Sequence, residues 1–390
     1  MKKILIVHTN NFLSGRQGEN IRVIQLVSAF KEIGFIVDFF GYENFGDKPA
    51  FLDFKVQNKE KNLINRLYLY DCKSDVHQLS LGKRIKRKIR HIKSNTFLTD
   101  WAYDNAKEKF AKIVSENDYD VIALFYSYQA NLLKDLQTKA KKVYFMEDSM
   151  FLQQYSWHAK DNKKLTLGKL LDEELERLNY FDDFFCISYD EKIFYEKLTE
   201  KTMEFLPHLQ QPQPPIITPV SQRKWDVFFV GFDNPFNVEG LNWFFQEVYQ
   251  YLSPELNILL VGSAINKIQV EHENVDKIIF VPDLDEVMEN VKVVICPMFR
   301  GTGMKIKVVE AMAKGLPVVC NERGVDGLPD KTQCGCLVTQ DAKQFAAYIN
   351  QLIADPEYYD TVSLKVSQYY SKVFDRKKYI EILKRKLERV

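Results

Sequence analysis

The stretch FRGTGMKIKVVEAMAKGLPVVC, residues 299–320, decides how this chain is expected to fold. It follows the apolar run KVVICPM, which is typical of a buried strand in a parallel sheet, and it ends in a second such run, LPVVC. Between the two runs lie a turn with two glycines and a segment in which Met304, Val308 and Met312 recur at helical spacing. The stretch therefore predicts a strand–turn–helix–strand unit of an α/β domain.

The turn of this unit carries more positive charge than a helix start favours. The open N–H groups of a helix N-terminus are already electropositive, and Lys305, Lys307 and Arg300 add cations beside them. Ligands of open α/β sheets bind beyond the carboxyl ends of the strands, and a helix N-terminus there favours an anion such as phosphate. Gly301 and Gly303 allow the backbone to turn tightly and to approach a ligand. We therefore expect this turn to bind a phosphate-bearing ligand.

Glu310 extends the expected ligand beyond phosphate. It follows Lys307 by three residues, so the two side chains share a helix face. A carboxylate in this position is suited to accept hydrogen bonds from sugar hydroxyls, as acidic residues do on nucleotide ribose. The turn and Glu310 together suit a nucleoside diphosphate. The alternative is a surface helix with an incidental Lys307–Glu310 contact, which would contribute only about 0.2–0.5 kcal/mol.

The rest of the chain repeats the same alternation of strands and helices. Strands are predicted at KILIV, FIVDFF, DVIALF and KVYFM in the first half, and at DVFFV, NILLVG, KIIFV, KVVIC and LPVVC in the second. Five prolines between Pro207 and Pro219 exclude a regular helix and indicate an extended linker. The predicted fold is therefore α/β, with two Rossmann-like domains, each a parallel sheet flanked by helices, and a cleft between them. The predicted boundaries are 1–205 for the first domain, 206–224 for the linker, 225–372 for the second domain, and 373–390 for a C-terminal helix that packs back on the first domain.

The composition is that of a globular protein without disulfides. The 390 residues are 46% hydrophobic and 27% charged, with a formal net charge of +1 that provides no overall attraction to nucleic acid. Six cysteines in a chain of this length do not form a disulfide framework, and the close pair Cys334-Gly-Cys336 lacks the partner pair of a zinc site. The N-terminal apolar run is too short for a signal peptide, and no stretch approaches the ~20 apolar residues that span a bilayer. We expect a cytoplasmic protein.

A basic segment in the first half has two interpretations. Seven Lys and Arg residues occur between Lys83 and Lys93, while Leu81, Ile85 and Ile89 recur at helical spacing. This pattern predicts a basic amphipathic helix over residues 81–93, which suits an anionic membrane surface. Its alternative is a solvated helix that packs its isoleucines on the first domain. No nucleic-acid recognition motif accompanies the charges, so nucleic acid is not an expected partner.

The second half resembles a known family. The stretch GTGMKIKVVEAMAKGLPVVCNERGVDG resembles the donor-site stretch of retaining glycosyltransferases of the GT-B fold, of the group 1 or family 4 type. FFVGFDNPFNVEGLNWFFQEV is similar to the strand, loop and helix that open the second domain of that family. The first half matches more loosely, through KILIVHTN, ENIRVIQLVSAFKEIGF and DDFFCISYDEKIFYEKL, so the motif-level likeness covers residues 228–327.

This resemblance assigns roles to individual residues. Glu310 matches the glutamate that holds the nucleotide ribose. Gly301, Thr302 and Gly303 match the loop that faces the diphosphate and the donor sugar. Gly231 matches the glycine of the phosphate loop that opens the second domain. The resemblance therefore implies that the second domain binds a nucleotide diphosphate sugar.

The basic residues of the phosphate loop depart from the family pattern. Many members have Arg directly after the loop glycine and Lys a few residues later, where this chain has Phe232 and Asn237. Arg300, Lys305 and Lys307 are the expected substitutes for that missing charge. Lys305 and Lys307, with the helix N-terminus, are then the groups that would stabilise the departing diphosphate.

Other positions complete the expected site. Thr302 replaces the first glutamate of the family's Glu-x7-Glu pattern, and Glu147 is the expected catalytic residue of the first domain, where the family commonly has His-Asp and this chain has Glu-Asp. Gly15, after the first predicted strand, would bring backbone near donor or acceptor. Asp283-Leu-Asp285 resembles a metal-binding Asp-x-Asp, yet Asp283 with Glu286 three residues later reads as a helix capping box. We therefore expect no metal and no other cofactor.

Together these observations predict a glycosyltransferase. It would move a sugar from a nucleotide diphosphate sugar to a glycan, lipid-linked or protein acceptor on the first domain, with retention of configuration. Two alternatives stay open: a nucleotide-sugar epimerase on the same fold, and a non-catalytic subunit of GT-B type that stabilises a partner transferase. The expected location is cytoplasmic, with peripheral contact at the inner face of the membrane if residues 81–93 bind lipid.

Overall fold

The chain divides into two compact units. The structure, a computed structural model, describes residues 2–14, 18–45, 51–72, 97–158, 165–209, 216 and 218–388. The first unit comprises Met1–Ile187, Glu191–Pro207 and Arg376–Val390, and the second comprises Ser188–Asp190 and His208–Asp375. Gly15 and the basic helix expected at 81–93 lie outside the described residues.

The first unit is built on a parallel sheet of seven strands. Their order is β3-β2-β1-β4-β5-β6-β7, so the direction in which strands are added reverses between β1 and β4. The strands are β1 (Lys3–Val7), β2 (Ile36–Glu43), β3 (Arg66–Asp71), β4 (Val121–Leu124), β5 (Lys141–Met146), β6 (Asp183–Cys186) and β7 (Met203–Phe205).

The helices that connect these strands pack an apolar face against the sheet, as the first helix shows. In the first helix Val23, Leu26, Val27 and Phe30 are fully buried, and Gly34, at φ 95°, follows its end in a conformation that favours glycine. These four residues form the buried face of that helix. The helices that the structure describes in this half are α1 (Gly18–Glu32), α2 (Phe54–Lys61), α3 (Asp104–Ser115), α4 (Met150–His158), α5 (Leu167–Leu178) and α6 (Tyr189–Thr199).

The second unit repeats this plan with six parallel strands. Their order, β10-β9-β8-β11-β12-β13, again reverses between its first strand, β8, and β11. Two sheets of this order, each flanked by helices, confirm the expected Rossmann-like pair. The strands are β8 (Trp225–Val230), β9 (Ile258–Val261), β10 (Val275–Ile278), β11 (Val291–Cys296), β12 (Val318–Cys320) and β13 (Leu337–Val338).

Capping side chains mark the start of several helices in the second half. Asn234 accepts hydrogen bonds from the backbone N–H groups of Phe236 and Asn237, and Pro235 occupies the first helical position, so α7 begins at Pro235. Asp283 likewise caps a helix, as expected, by accepting a hydrogen bond from the N–H of Asp285. The helices are α7 (Pro235–Trp243), α8 (Leu284–Met288), α9 (Ile306–Ala313), α10 (Ala342–Ala354), α11 (Pro356–Val373) and α12 (Arg376–Leu387).

Strand β10 lies earlier in the chain than the sequence pattern predicts. KIIFV was expected to be a strand to its end, but β10 ends at Ile278, and Ile279 and Phe280 are each 58% exposed. The sheet order places β10 at an edge, where it pairs with β9. An edge strand buries less surface than a central one, so apolar letters alone overestimate its length. Over the described ranges, no helix is both long and apolar enough to cross a membrane.

Candidate functional site

The expected site residues of the second unit lie where the strand order reverses. Strands β8 and β11 are neighbours in the sheet, with Val227 opposite Val293 and Phe228 opposite Val294. The strands are parallel, so the loops that follow them leave the same edge. Gly231 follows β8, and the turn that contains Gly301 and Gly303 follows β11. This reversal is the position where open α/β sheets form a ligand crevice.

Close backbone packing joins these two loops. A Cβ atom on Gly240 of α7 would lie 1.9 Å from the carbonyl oxygen of Pro297, so only glycine lets the helix approach the chain after β11. A Cβ atom on Gly231 would lie 2.9 Å from both the side-chain amide of Asn237 and the ring of Phe229. Two glycines thus hold α7 close to both loops. Gly240 was not among the residues expected at the site, although its place in the family-like stretch could have indicated it.

The turn after β11 needs its glycines for their backbone angles. Gly301 has φ 115° and Gly303 has φ 67°, both in the region that side chains with a Cβ rarely adopt. Lys305 is the residue that precedes α9 and is extended, at φ −85° and ψ 96°. The helix therefore begins at Ile306, two residues later than expected, while Met304, Val308 and Met312 are buried as expected.

Lys305 closes this turn on itself. Its Nζ donates hydrogen bonds to the carbonyl oxygens of Thr302, at 3.1 Å, and Gly303, at 3.0 Å, and the residue is only 7% exposed. The ammonium thus donates hydrogen bonds to two backbone carbonyls that the tight turn leaves without helical partners. Lys305 sets the shape of the turn, so its positive charge lies within the loop expected to face a diphosphate.

Lys307 points instead to the loop after β8. Its Nζ donates a hydrogen bond of 2.8 Å to Oδ1 of Asn237 and lies 4.2 Å from the ring centroid of Phe229. Burial of the ammonium lowers the pKa of Lys307 to about 8, and the positive charge of Lys305 adds to that effect. Lys307 is therefore a cation held at some cost in a low-dielectric environment, which a nearby anion would relieve.

Asn237 connects Lys307 to the loop of Gly231. While its Oδ1 accepts from Lys307, its Nδ2 donates a 2.9 Å hydrogen bond to the carbonyl oxygen of Phe232. The side chain is 5% exposed and packs directly on Gly231. The structure thus brings a lysine from α9 to the loop in which the sequence lacks the usual basic pair. The contact joins residues 70 positions apart, so no local signal could have found it.

The other expected residues of the second unit lie around this pair. Glu310, on α9, is partly buried, and its negative charge raises the pKa of Lys307 against the effect of burial. Thr302 is also partly buried, and its carbonyl is one of the two that Lys305 holds. Arg300 is exposed and pairs with Glu239 on α7, Nε to Oε2 at 2.8 Å. It faces an open depression of about 590 Å³ that Glu239 and Trp243 also line.

Glu147 belongs to the first unit, where it follows β5. Its Oε1 lies 3.4 Å from Nε of Arg22, a fully buried side chain that also donates to the carbonyl oxygens of Leu206 and Pro207 and to the hydroxyl of Tyr379. Glu147 is therefore fixed by the network that ties α1 to the last residues of this unit and to α12. Among the described residues, no group of three or more Asp, Glu, His or Cys side chains could hold a metal ion.

Comparison with known families agrees with this geometry. Residues 224–355 match the family model described as glycosyl transferases group 1. A curated relative, an uncharacterized 44.6 kDa protein in the cps region of Klebsiella pneumoniae, is 26% identical over 155 residues. That alignment covers 35% of this chain and 40% of the relative, so the chain matches about two-fifths of the relative's length.

Solved glycosyltransferase structures share the fold over the whole chain. Sucrose-phosphate synthase from Thermosynechococcus elongatus aligns with a TM-score of 0.67 at 15% identity and covers 100% of this chain and 98% of its own. HepE from Anabaena, in complex with UDP-glucose, aligns at 0.66 with 16% identity over 100% of both chains. The lipopolysaccharide outer core galactosyltransferase WaaB aligns at 0.63 with 13% identity, again over 100% of both. The expected GT-B fold and the resemblance to group 1 glycosyltransferases are confirmed.

Proposed function

We propose that this GT-B protein, whose residues 224–355 form a group 1 glycosyltransferase domain, transfers a sugar from a nucleotide diphosphate sugar to an acceptor hydroxyl. The observation that carries the proposal is the position of Lys307, whose ammonium is held by Asn237 against the loop of Gly231. A partly desolvated cation at the crevice of an open α/β sheet is a site prepared for phosphate.

In this proposal the diphosphate lies between the loop after β8 and the turn after β11. Backbone N–H groups at the start of α9 and the charges of Lys305 and Lys307 would bind its oxygens, and Glu310 would accept hydrogen bonds from the ribose hydroxyls. The charge is fixed by the fold before the ligand arrives. Such preorganised charge costs little reorganisation when the ligand binds, and it acts in a low-dielectric environment.

The same charges would assist the reaction. As the bond between the anomeric carbon and the β-phosphate oxygen breaks, negative charge grows on the leaving diphosphate. The acceptor oxygen forms the new bond to that carbon, and its hydroxyl proton passes to an oxygen of the departing phosphate. Interactions that strengthen with this charge lower the barrier rather than only the dissociation constant. Retention of configuration and independence of metal are part of the proposal and rest on the family resemblance. Glu147 is proposed to act at the donor sugar, from the first unit.

The acceptor side is proposed on the same grounds. We assign a glycan, lipid-linked or protein acceptor to the first unit and place the protein in the cytoplasm, with residues 81–93 as the segment that would meet an anionic membrane. Since HepE is described in complex with UDP-glucose, UDP-sugars are the first donors to test.

The experiment is a binding panel followed by a transfer assay. Nucleoside diphosphates, their sugars and the parent nucleosides are titrated into the full chain by calorimetry, and release of free nucleotide is then measured across donor sugars with and without acceptor. We expect a diphosphate to bind more tightly than its nucleoside, and nucleotide release to require an acceptor. Tight diphosphate binding without release would favour the non-catalytic subunit, conversion of the sugar without acceptor would favour the epimerase, and no diphosphate binding would overturn the donor site.

A further inference from the structure

Four of the six cysteines of the chain gather in the second unit. Cys296 and Cys320 lie directly opposite each other at the carboxyl ends of β11 and β12. Cys320 is also opposite Val338 on β13, and residues two apart in an extended chain point to the same face. Cys336 therefore faces the side of the sheet on which Cys320 lies, and its thiol contacts the thiols of both Cys320 and Cys334.

The turn between Cys334 and Cys336 is folded tightly by its glycine. Gly335 has φ 81°, and a Cβ atom there would lie 2.8 Å from the backbone nitrogen of Val366, so the position admits only glycine without displacement. This conformation brings the thiols of Cys334 and Cys336 into contact. Interaction with the Cys336 thiol lowers the pKa of Cys334 below its ordinary value, which increases the thiolate fraction of the pair.

Access also distinguishes this pair from the other two thiols. Cys296 and Cys320 are completely buried, and Cys334 is 1% exposed, but Cys336 keeps part of its surface exposed. A small oxidant can therefore reach the pair from the side of Cys336. Metal binding does not explain the cluster, because the described residues contain no group of three suitable side chains that could hold an ion.

We propose that Cys334 and Cys336 are a thiol-oxidation site that forms a reversible disulfide with peroxide as the oxidant. The Cys334 thiolate attacks peroxide, so that an S–O bond forms, the O–O bond breaks, and the departing hydroxide takes a proton to become water. The Cys336 sulfur then attacks the sulfenic sulfur; the S–S bond forms, the S–O bond breaks, and a second water leaves with the Cys336 proton. Two thiols lose two electrons, and one peroxide gains them.

This site does not depend on the proposed transferase activity, so its test needs no substrate. The native full chain is treated with hydrogen peroxide, unfolded, and labelled with a maleimide mass tag that counts free thiols. We expect six tags before treatment, four after it, and six again after dithiothreitol. Peptide mapping of the wild-type protein should then find residues 334 and 336 joined within a single peptide.

Matched variants separate this pair from the other thiols. Cys334→Ser removes the thiolate that attacks peroxide and should keep five tags before and after treatment, whereas the control variants Cys72→Ser and Cys320→Ser should each drop from five tags to three. Six tags in the oxidised wild-type protein would overturn the proposal. A mapped disulfide that involves Cys320, or a sulfinic acid on Cys334 in place of the disulfide, would overturn it as well. These results come from the wild-type protein, so they do not depend on whether a variant folds.

Discussion

The Nζ atom of Lys307 lies 2.8 Å from Oδ1 of Asn237, so a cation carried by α9 is held at the loop that follows β8. The two side chains come from segments that pack on either side of the strand reversal between β8 and β11. Asn237 is neutral and cannot balance the charge. We propose that this positive charge serves an anion in the crevice, in place of the Arg and Lys that the family resemblance leads one to expect in the β8 loop.

The pKa of Lys307 predicts that diphosphate affinity depends on pH. Burial lowers this pKa from 10.5 to about 8, and a bound diphosphate would raise it again, so binding above pH 8 takes up a proton. Affinity for a nucleoside diphosphate should fall as pH rises through about 8. Calorimetry at pH 7 to 9 in buffers of different ionisation enthalpy measures both the affinity and the proton uptake. A flat profile, with no proton taken up, would separate Lys307 from the ligand.

The lowered pKa of Lys307 also predicts that the free energy of unfolding rises with pH, whereas diphosphate affinity falls. The folded pKa is below the unfolded one, so burial of the charged lysine destabilises the second unit below pH 8, and this penalty is relieved as pH rises from about 8 towards 10.5. Diphosphate affinity and intrinsic stability should therefore change in opposite directions over the range in which Lys307 titrates. The Lys307→Met variant should lose both dependences.

Glu310→Gln tests the ribose contact. Loss of charge-assisted hydrogen bonds of ~1.5–3 kcal/mol each should weaken the binding of a diphosphate and of its nucleoside by about tenfold or more, because both contain the ribose. The control is Glu357→Gln, an exposed carboxylate in the first turn of α11. If calorimetry finds unchanged affinity for both ligands, Glu310 is not part of the site.

Glu147→Gln separates catalysis from donor binding. Glu147 lies in the first unit beside Arg22, whereas the groups proposed to bind the diphosphate lie in the second. The substitution should slow transfer and leave diphosphate affinity unchanged. Steady-state rates and calorimetry on the same sample make this comparison, with the exposed Glu116→Gln as the control. A wild-type transfer rate would exclude a catalytic role for Glu147.

Glu174→Gln should flatten the pH dependence of stability. The carboxylate is completely buried, and desolvation raises its pKa from 4.5 to about 7 even though Ser127, Met150 and Phe151 donate hydrogen bonds to it. A raised acid pKa contributes stability that is present below about 4.5 and is lost as pH rises through 7. Melting temperatures between pH 5 and 8.5 should fall for the wild type and change less for the variant. The exposed Glu176→Gln should follow the wild type, and an equal slope in all three proteins would contradict the assignment.

The sequence predicts those parts of the fold that depend on local pattern. Apolar runs located nine of the thirteen strands that the structure describes but not β3, β6, β7 or β13, and the stripe of Val308 and Met312 identified the buried face of α9. Edge effects are not local, so the end of β10 was predicted too late: Phe280 is as apolar as a core residue but lies beyond the strand. The start of α9 was missed because Lys305 is extended rather than helical.

The site was predicted as a set of residues but not as an arrangement. Lys305 and Lys307 looked like one pair on the sequence, whereas Lys305 bonds to the carbonyls of its own turn and Lys307 reaches across to Asn237. From the helix dipole alone, two cations here are mildly unfavourable. The hydrogen bonds to Thr302 and Gly303 oppose that effect, and no pattern of residue types reveals them. Arg300 was grouped with the lysines by position, but its ion pair with Glu239 separates it from them.

The most direct test of the central claim compares diphosphate and nucleoside binding in Lys307→Met. Methionine keeps a long apolar side chain and removes the charge, Lys307→Arg keeps a charge, and the exposed Lys343→Met on α10 is the matched control. We predict that Lys307→Met loses about tenfold or more in affinity for the diphosphate, at ~1.5–3 kcal/mol for a charge-assisted hydrogen bond, and keeps its affinity for the nucleoside. Lys307→Arg should retain part of the diphosphate affinity, and Lys343→Met all of it. If a folded Lys307→Met protein binds the diphosphate as tightly as the wild type does, the charge that defines this site lies elsewhere and the account is wrong.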